Sequence, residues 1–257
     1  YIEINNFYTA TVYEKGAEVV RMLKTLLGDE IYFAAVARYF RLHDGQAVTI
    51  EDWLTCFEVV AKTDLSQFKQ WYSQAGTPHL LVREAYRDGQ YTLHFTQETK
   101  PTPGQDTKPP QVMPIVVGLL DATSGAELLP STTLKMTQAE QSFSFAAETG
   151  KPVPSILRGF SAPVILDDAA LPDTRAFRLA HDTDAFTRWE AARTLGRDAL
   201  HAILAGHAPD SAYLDALKTS VTDAELDPDF RSQLFTLPSI SEIIGEVARD
   251  GGTPDPT

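Results

Sequence analysis

Apolar residues in this chain keep one spacing up to Gly76-Thr77-Pro78, a second as far as Asp167-Asp168, and the first again beyond. This double change of period constrains the fold most, because side chains share a helix face every three to four residues and a strand face every two. Before Pro78, Val19, Met22, Leu23, Leu26 and Leu27, then Phe33, Val36, Ala37 and Phe40, obey the helical rule. Gly28 and Asp44-Gly45 interrupt these runs as helix ends or turns. Thr49 stands three residues before Asp52, and Asp64 three before Gln67. Each pair predicts a helix start in which the two side chains cap reciprocally. The spacing predicts about four helices in this stretch.

After Pro78, Tyr91, Leu93 and Phe95 alternate with Thr92, His94 and Thr96, and Asp88-Gly89 precedes them as a two-residue hairpin turn. Short strand candidates follow at 115–120, 132–137, 142–146, 156–160 and 164–166, divided by Gly, Pro and Ser. Such closely spaced strands predict a small β-sandwich. The proline-rich stretch 98–114 is too long for a tight turn and is predicted to be an exposed excursion. Past Asp168, Phe186, Trp189, Ala192, Leu195, Leu200, Ile203 and Leu204 mark a long amphipathic helix. Two more helices are predicted at 213–221 and at 239–247, the latter entered through Pro238. The expected fold is multidomain α + β, with units 1–78, 79–168 and 169–257.

Composition narrows the functional classes. Hydrophobic residues at 43% and charged residues at 22% are those of a globular protein rather than a fibrous or disordered one. A net charge of −13 repels phosphate backbones, and no third of the chain is basic, so nucleic acid is not an expected partner. The apolar runs fall far short of a membrane span, and no membrane partner is expected. A lone cysteine, Cys56, cannot close an internal disulfide and fits a reducing, cytoplasmic setting. No targeting signal is visible, and a start at Tyr1 suggests a cut inside a longer protein.

Common catalytic signatures are missing. No two of the six histidines stand four residues apart, as a helical zinc pair would require, and they read as surface or cap residues. The alternation Asp223, Glu225, Asp227, Asp229 has Pro228 where a calcium loop needs glycine. Gly159-Phe160-Ser161-Ala162-Pro163 departs from a nucleophile elbow at its last residue, and Ser161 reads as a turn residue. Cys56 sits among apolar neighbours and reads as a small buried thiol. What remains is the segment from Asn5 to Ala17, with its amides, Tyr8, Tyr13, Glu14-Lys15 and Gly16. A phenol keeps its proton at neutral pH, so Tyr8 or Tyr13 can donate to a developing oxyanion. Equally, both can pack at a helix start with their hydroxyls satisfied.

The run Val12-Tyr13-Glu14-Lys15-Gly16-Ala17, with Asn5-Asn6-Phe7-Tyr8-Thr9 before it and Val20-Arg21-Met22-Leu23 after it, resembles the aminopeptidase N family of zinc aminopeptidases. So do Tyr39-Phe40 with His43-Asp44-Gly45, the run from Phe68 through Trp71 to Pro78, Phe160 to Val164, and Leu237-Pro238-Ser239. The resemblance implies the helical back half of a thermolysin-like catalytic domain, a complete Ig-like β-sandwich and the first helices of an α-helical C-terminal domain. It also implies hydrolysis of N-terminal residues from peptide substrates, with zinc polarising the carbonyl and activating water. Tyr13 would stabilise the tetrahedral oxyanion, and Tyr8 and Asn5 would lie near the pocket for the first side chain. Glu14 and Lys15 would be supporting structure. The family's His-Glu-x-x-His helix and Gly-x-Met-Glu-Asn loop are not in this sequence. The parent enzyme is therefore expected to hold zinc, and this chain alone is expected to hold none and to be inactive. The alternative is a non-catalytic scaffold or interaction module. Helices cut from their other half would leave former core surface open to self-association with a second copy.

Overall fold

The computed structural model describes residues 9, 11–170 and 172–249. Two compact units make up the chain, one of residues 1–117, 131–151 and 160–169, the other of 118–130, 152–159 and 170–257.

In the first unit a π-helical turn, Thr11–Lys15, runs into α1 (Gly16–Leu27), followed by α2 (Asp29–His43), α3 (Ile50–Ala61) and α4 (Ser66–Ser73). The predicted apolar stripe of α1 is the buried one, through Val19, Met22 and Leu23. Helices α2 and α3 meet through rings, with Tyr39 and Trp53 centroids 5.0 Å apart and Tyr32 and Phe57 5.4 Å apart. Thr49 and Asp52 form the predicted capping box at the start of α3. The second expected box is not made. Asp64 accepts from the Ser66 N–H and hydroxyl, while Gln67 turns away to other partners.

Strands β1 (His79–Arg87) and β2 (Gln90–Glu98) pair antiparallel about Asp88-Gly89, as the alternation predicts. Both turn residues have positive φ, 49° and 76°, which matches the right-handed twist of the flanking strands. With β5 (Glu140–Ala146) and β7 (Ile165–Asp167) they form a sheet of order β5-β2-β1-β7, in which β7 runs parallel to β1. A second sheet has the order β4-β3-β6, from β3 (Met113–Leu120), β4 (Glu127–Met136) and β6 (Val153–Ile156). Leu80, Val82, Tyr91, Leu93, Phe95, Met113, Ile115, Val117 and Met136 are all buried in the first unit.

Two sequence expectations need correction. The strand expected at 156–160 ends at Ile156, because Leu157, Gly159 and Phe160 all take left-handed φ near 55° and fold the chain into a tight 3-10 turn. Two helices were not anticipated. Helix α5 (Pro172–His181) is short, and the residues it buries are Ala176, Leu179 and the charged Arg178, which interrupts its apolar stripe. Helix α8 (Pro228–Leu234) grows from the acidic alternation, where Asp227 caps the N–H groups of Asp229 and Phe230 and Pro228 occupies the first turn.

In the second unit α5, α6 (Ala185–Leu204), α7 (Ser211–Thr222) and α8 share a core of Leu179, Ala191, Ala192, Leu195, Ala199, Tyr213, Ala216 and Leu234, and α9 (Ile240–Arg249) follows. Small residues on α6 allow close helix approach. Beside this core lies a buried guanidinium. Arg158 donates to Ser155 Oγ at 2.8 Å, Glu127 Oε1 at 2.6 Å and Asp182 Oδ1 at 3.2 Å, with side-chain exposures of 3% for Arg158 and 0% for Asp182. The Arg158 hydrogen bond holds the Glu127 carboxyl below the usual range, whereas burial raises that of Asp182. The guanidinium occupies the space where a side chain on Gly118 would project. Gly118→Ala should therefore displace Arg158 from partially desolvated partners and cost about 2–4 kcal/mol. Urea unfolding reads this directly; a midpoint equal to the parent's would mean that the guanidinium relocates without loss.

Candidate functional site

Tyr13 lies within the π-helical turn that opens α1. Its N–H and that of Val12 share the Thr9 carbonyl, at 3.1 and 3.0 Å, which sets the start of the turn. Local widening of a helix to this form occurs mostly as single turns, frequently at functional sites. The phenol is 56% exposed and so is accessible to a solute. Asn5 and Tyr8, the other two residues of the expected site, lie outside the described residues.

Lys15 follows one turn residue after Glu14 and is half-buried. Its ammonium donates to the Gly76 carbonyl at 2.7 Å, and burial draws its pKa below the usual lysine value. Gly76 has φ of 95°, and a Cβ there would meet the Thr99 methyl at 3.1 Å, so this bend requires glycine. At the other end of α1's first two turns, Arg21 pairs with Glu18, donates to the Phe160 carbonyl and lies over the Phe160 ring at 5.9 Å.

Of the stretch 98–114 expected to be an exposed excursion, residues 98–110 are exposed or half-exposed and 111–114 are buried, and its ends are tied down by side chains. Lys108 Nζ donates to the Ala75 carbonyl at 2.9 Å, to Thr102 Oγ1 at 2.7 Å and to Gln105 Oε1 at 2.6 Å. Gln105 accepts from the Ala75 N–H at 2.9 Å and donates to the Ser73 carbonyl at 2.8 Å. Trp71 donates its indole N–H to the Val112 carbonyl at 2.7 Å, and Gln67 donates to the carbonyls of Pro110 and Thr137 at 3.0 and 2.7 Å. Gln97, at an inward position of β2, donates to the Gln111 and Gln138 carbonyls and accepts from the Gln111 N–H, all at 2.9 Å. Beside the backbone pair of Thr102 and Gln105, side chains thus satisfy part of the main chain of this segment. No apolar period announces such a strap; the sequence signal is the recurrence of Gln around it, at 67, 97, 105 and 111.

Two other sequence readings resolve here. Ser161 is buried and its Oγ accepts from the Val116 N–H at 3.0 Å, a structural role. Cys56 is a buried free thiol. Among the described residues no three His, Cys, Asp or Glu side chains gather as a metal-binding group, and those residues do not fit a zinc site. Nor is any helix among the described residues long and apolar enough to cross a membrane.

Residues 1–72 match the peptidase family M1 domain, 76–169 a domain of unknown function (DUF3458) with an Ig-like fold, and 172–256 its companion domain of unknown function, described as ARM repeats. The chain is accordingly similar to the M1 peptidases over its first 72 residues. Over nearly its whole length it is similar to aminopeptidase N: it is 38% identical to the Escherichia coli protein over 258 residues and 44% identical to that of Caulobacter vibrioides over 245. These alignments take in 94% and 93% of this chain but 29% and 28% of the relatives. The chain thus spans less than a third of their length. The crystal structure of Legionella pneumophila aminopeptidase A in complex with aspartic acid superposes with a TM-score of 0.84 at 32% identity, over 95% of this chain and 28% of that one.

Two measurements test the local physics. Lys108→Met removes three hydrogen bonds of the strap, so backbone amides at 75 and 102–105 should exchange with deuterium faster while those of α1 keep their protection. Uniform protection would show that the strap holds without its ammonium. On α4, burial pushes the Tyr72 phenol up to about 12, against a smaller opposing pull from Trp53. An unfolded phenol ionises near 10.0, so this contribution is intact below pH 10 and is lost between pH 10 and about 12. Tyr72→Phe should flatten that limb of the stability profile; an unchanged limb would place the titration elsewhere.

Proposed function

We propose that this chain is part of a zinc-dependent aminopeptidase that removes N-terminal residues from peptides, and that Tyr13 donates a hydrogen bond to the oxyanion of the tetrahedral intermediate. The observation that carries the reading is the exposed phenol on a π-helical turn at the head of α1, in a sequence related to aminopeptidase N. When an amide carbonyl is attacked, its oxygen gains charge that the ground state lacks. A donor placed for that charge lowers the barrier without tightening substrate binding. The proton stays on the phenol oxygen, which acts as donor and not as acid. Tyr8 and Asn5 are assigned to the pocket for the first side chain of the substrate.

The same reading extends to the organisation of the chain. Residues 1–78 would belong to the catalytic domain, 79–168 to the sandwich and 169–257 to the first helices of a C-terminal domain. Zinc would be held by residues that this sequence does not include, and the chain's own part is to supply and orient the phenol. The cytoplasm is the proposed location, supported by the buried free thiol of Cys56, and the acidic balance of −13 disfavours nucleic acid or anionic lipid as partners.

Tyr13→Phe in a full-length enzyme carrying this stretch is the direct test, with an alanyl amide as substrate. Turnover should fall by about 10²–10³ while KM changes little. Turnover at the parent rate would remove Tyr13 from the chemistry and this reading with it.

A further inference from the structure

The lysine two residues after Tyr13 makes a bond that its place in a surface turn does not require. Its ammonium reaches across 61 residues of sequence to the Gly76 carbonyl, at 2.7 Å. Residues two apart on a helical turn do not share a face. An anchor on Lys15 therefore holds the side of the turn away from Tyr13, which is itself 56% exposed.

The acceptor is as firmly fixed as the donor. Gly76 occupies a left-handed bend against Thr99. The residue before it, Ala75, has its N–H bound by Gln105 and its carbonyl by Lys108. Both of those side chains belong to the strap, which Gln67 and Trp71 fasten to α4. Arg21, six residues beyond Lys15, makes the second tie, to the Phe160 carbonyl. Two such ties along α1 restrain its rotation about its own axis, and that rotation is the motion that would swing a phenol at its head.

We infer that Lys15 is a positioning residue for Tyr13: its bond to the Gly76 carbonyl sets the roll of the π-helical turn and so the direction in which the phenol donates. The inference rests on the oxyanion role proposed for Tyr13 and adds the residue that orients it. An oxyanion donor acts only within about 2.7–3.1 Å of its target, and displacement by ~1 Å can cost on the order of 10²-fold in rate. Lys15 touches no substrate. Its effect should therefore pass entirely through Tyr13.

A double-mutant cycle in the full-length enzyme, with an alanyl amide as substrate, separates orientation from general support. Lys15→Met keeps most of the stem and removes the ammonium. It should lower kcat by about 10–100-fold with KM changed by less than about threefold. Added to Tyr13→Phe it should cost nothing further, since the group it orients is gone. Lys15→Arg, which restores a donor, should recover part of the rate. Lys69→Met, which removes an exposed ammonium paired with Glu51 at 2.7 Å, serves as the control and should leave kcat unchanged. Parental kcat in Lys15→Met, or losses that multiply in the double variant, would overturn the inference. If Lys15→Met does not fold, Lys15→Leu, which also lacks a donor, carries the same cycle. Failure of the two readings is distinguishable: a silent Tyr13→Phe removes the proposed function and this inference together, whereas a slow Tyr13→Phe beside a fast Lys15→Met removes only the role of Lys15.

Discussion

Apart from the bridge between Thr102 and Gln105, the stretch from the end of α4 to residue 112 relies on side-chain donors for several of its backbone carbonyls. Lys108, Gln105, Gln97, Gln67 and Trp71 each give an N–H to a main-chain oxygen in this region. Each bond is modest, with a net value of about 0.5–1.5 kcal/mol, but leaving a buried carbonyl unmet costs more than making the bond gains. The first unit depends on this exchange of side chain for backbone. Through it the bend at Gly76 becomes a fixed point, and from that point Lys15 holds the turn that carries Tyr13.

Much of the fold was legible because it is written in period and punctuation. The stripe of Val19, Met22 and Leu23, the alternation of Tyr91, Leu93 and Phe95, the Asp88-Gly89 turn and the Thr49–Asp52 box are local patterns, and the structure contains all of them. The misses have a common physical origin: a residue that can act locally was claimed by a distant partner, or a pattern was too short to register. Gln67 has the spacing of a cap and instead serves Pro110 and Thr137. The run after Ile156 looks like a strand, yet Leu157 and Phe160 adopt left-handed backbone angles that favour glycine. Helix α8 has only seven residues.

The candidate site was legible in a different way. Nothing in spacing distinguishes Tyr13 from a tyrosine packed at a helix start. Resemblance singled it out, and the structure adds that its ring is exposed and its turn widened. The bond from Lys15 to Gly76 could not be read from sequence at all, because hydrogen bonds between residues this far apart leave no periodic trace. Tying two distant segments by a single ammonium is cheap in sequence and depends wholly on the acceptor staying in place.

The fit between Gly118 and Arg158 reaches beyond one molecule. A guanidinium lies where the β-carbon of any other amino acid would stand, so Gly118 is not free to gain bulk while the arginine stays. Among descendants of a common ancestor, a gain of bulk at the first position should be found only in lineages that have already exchanged the arginine for something shorter. The pair would then leave its mark as linked substitution in an alignment, at two sites separated by forty residues of chain.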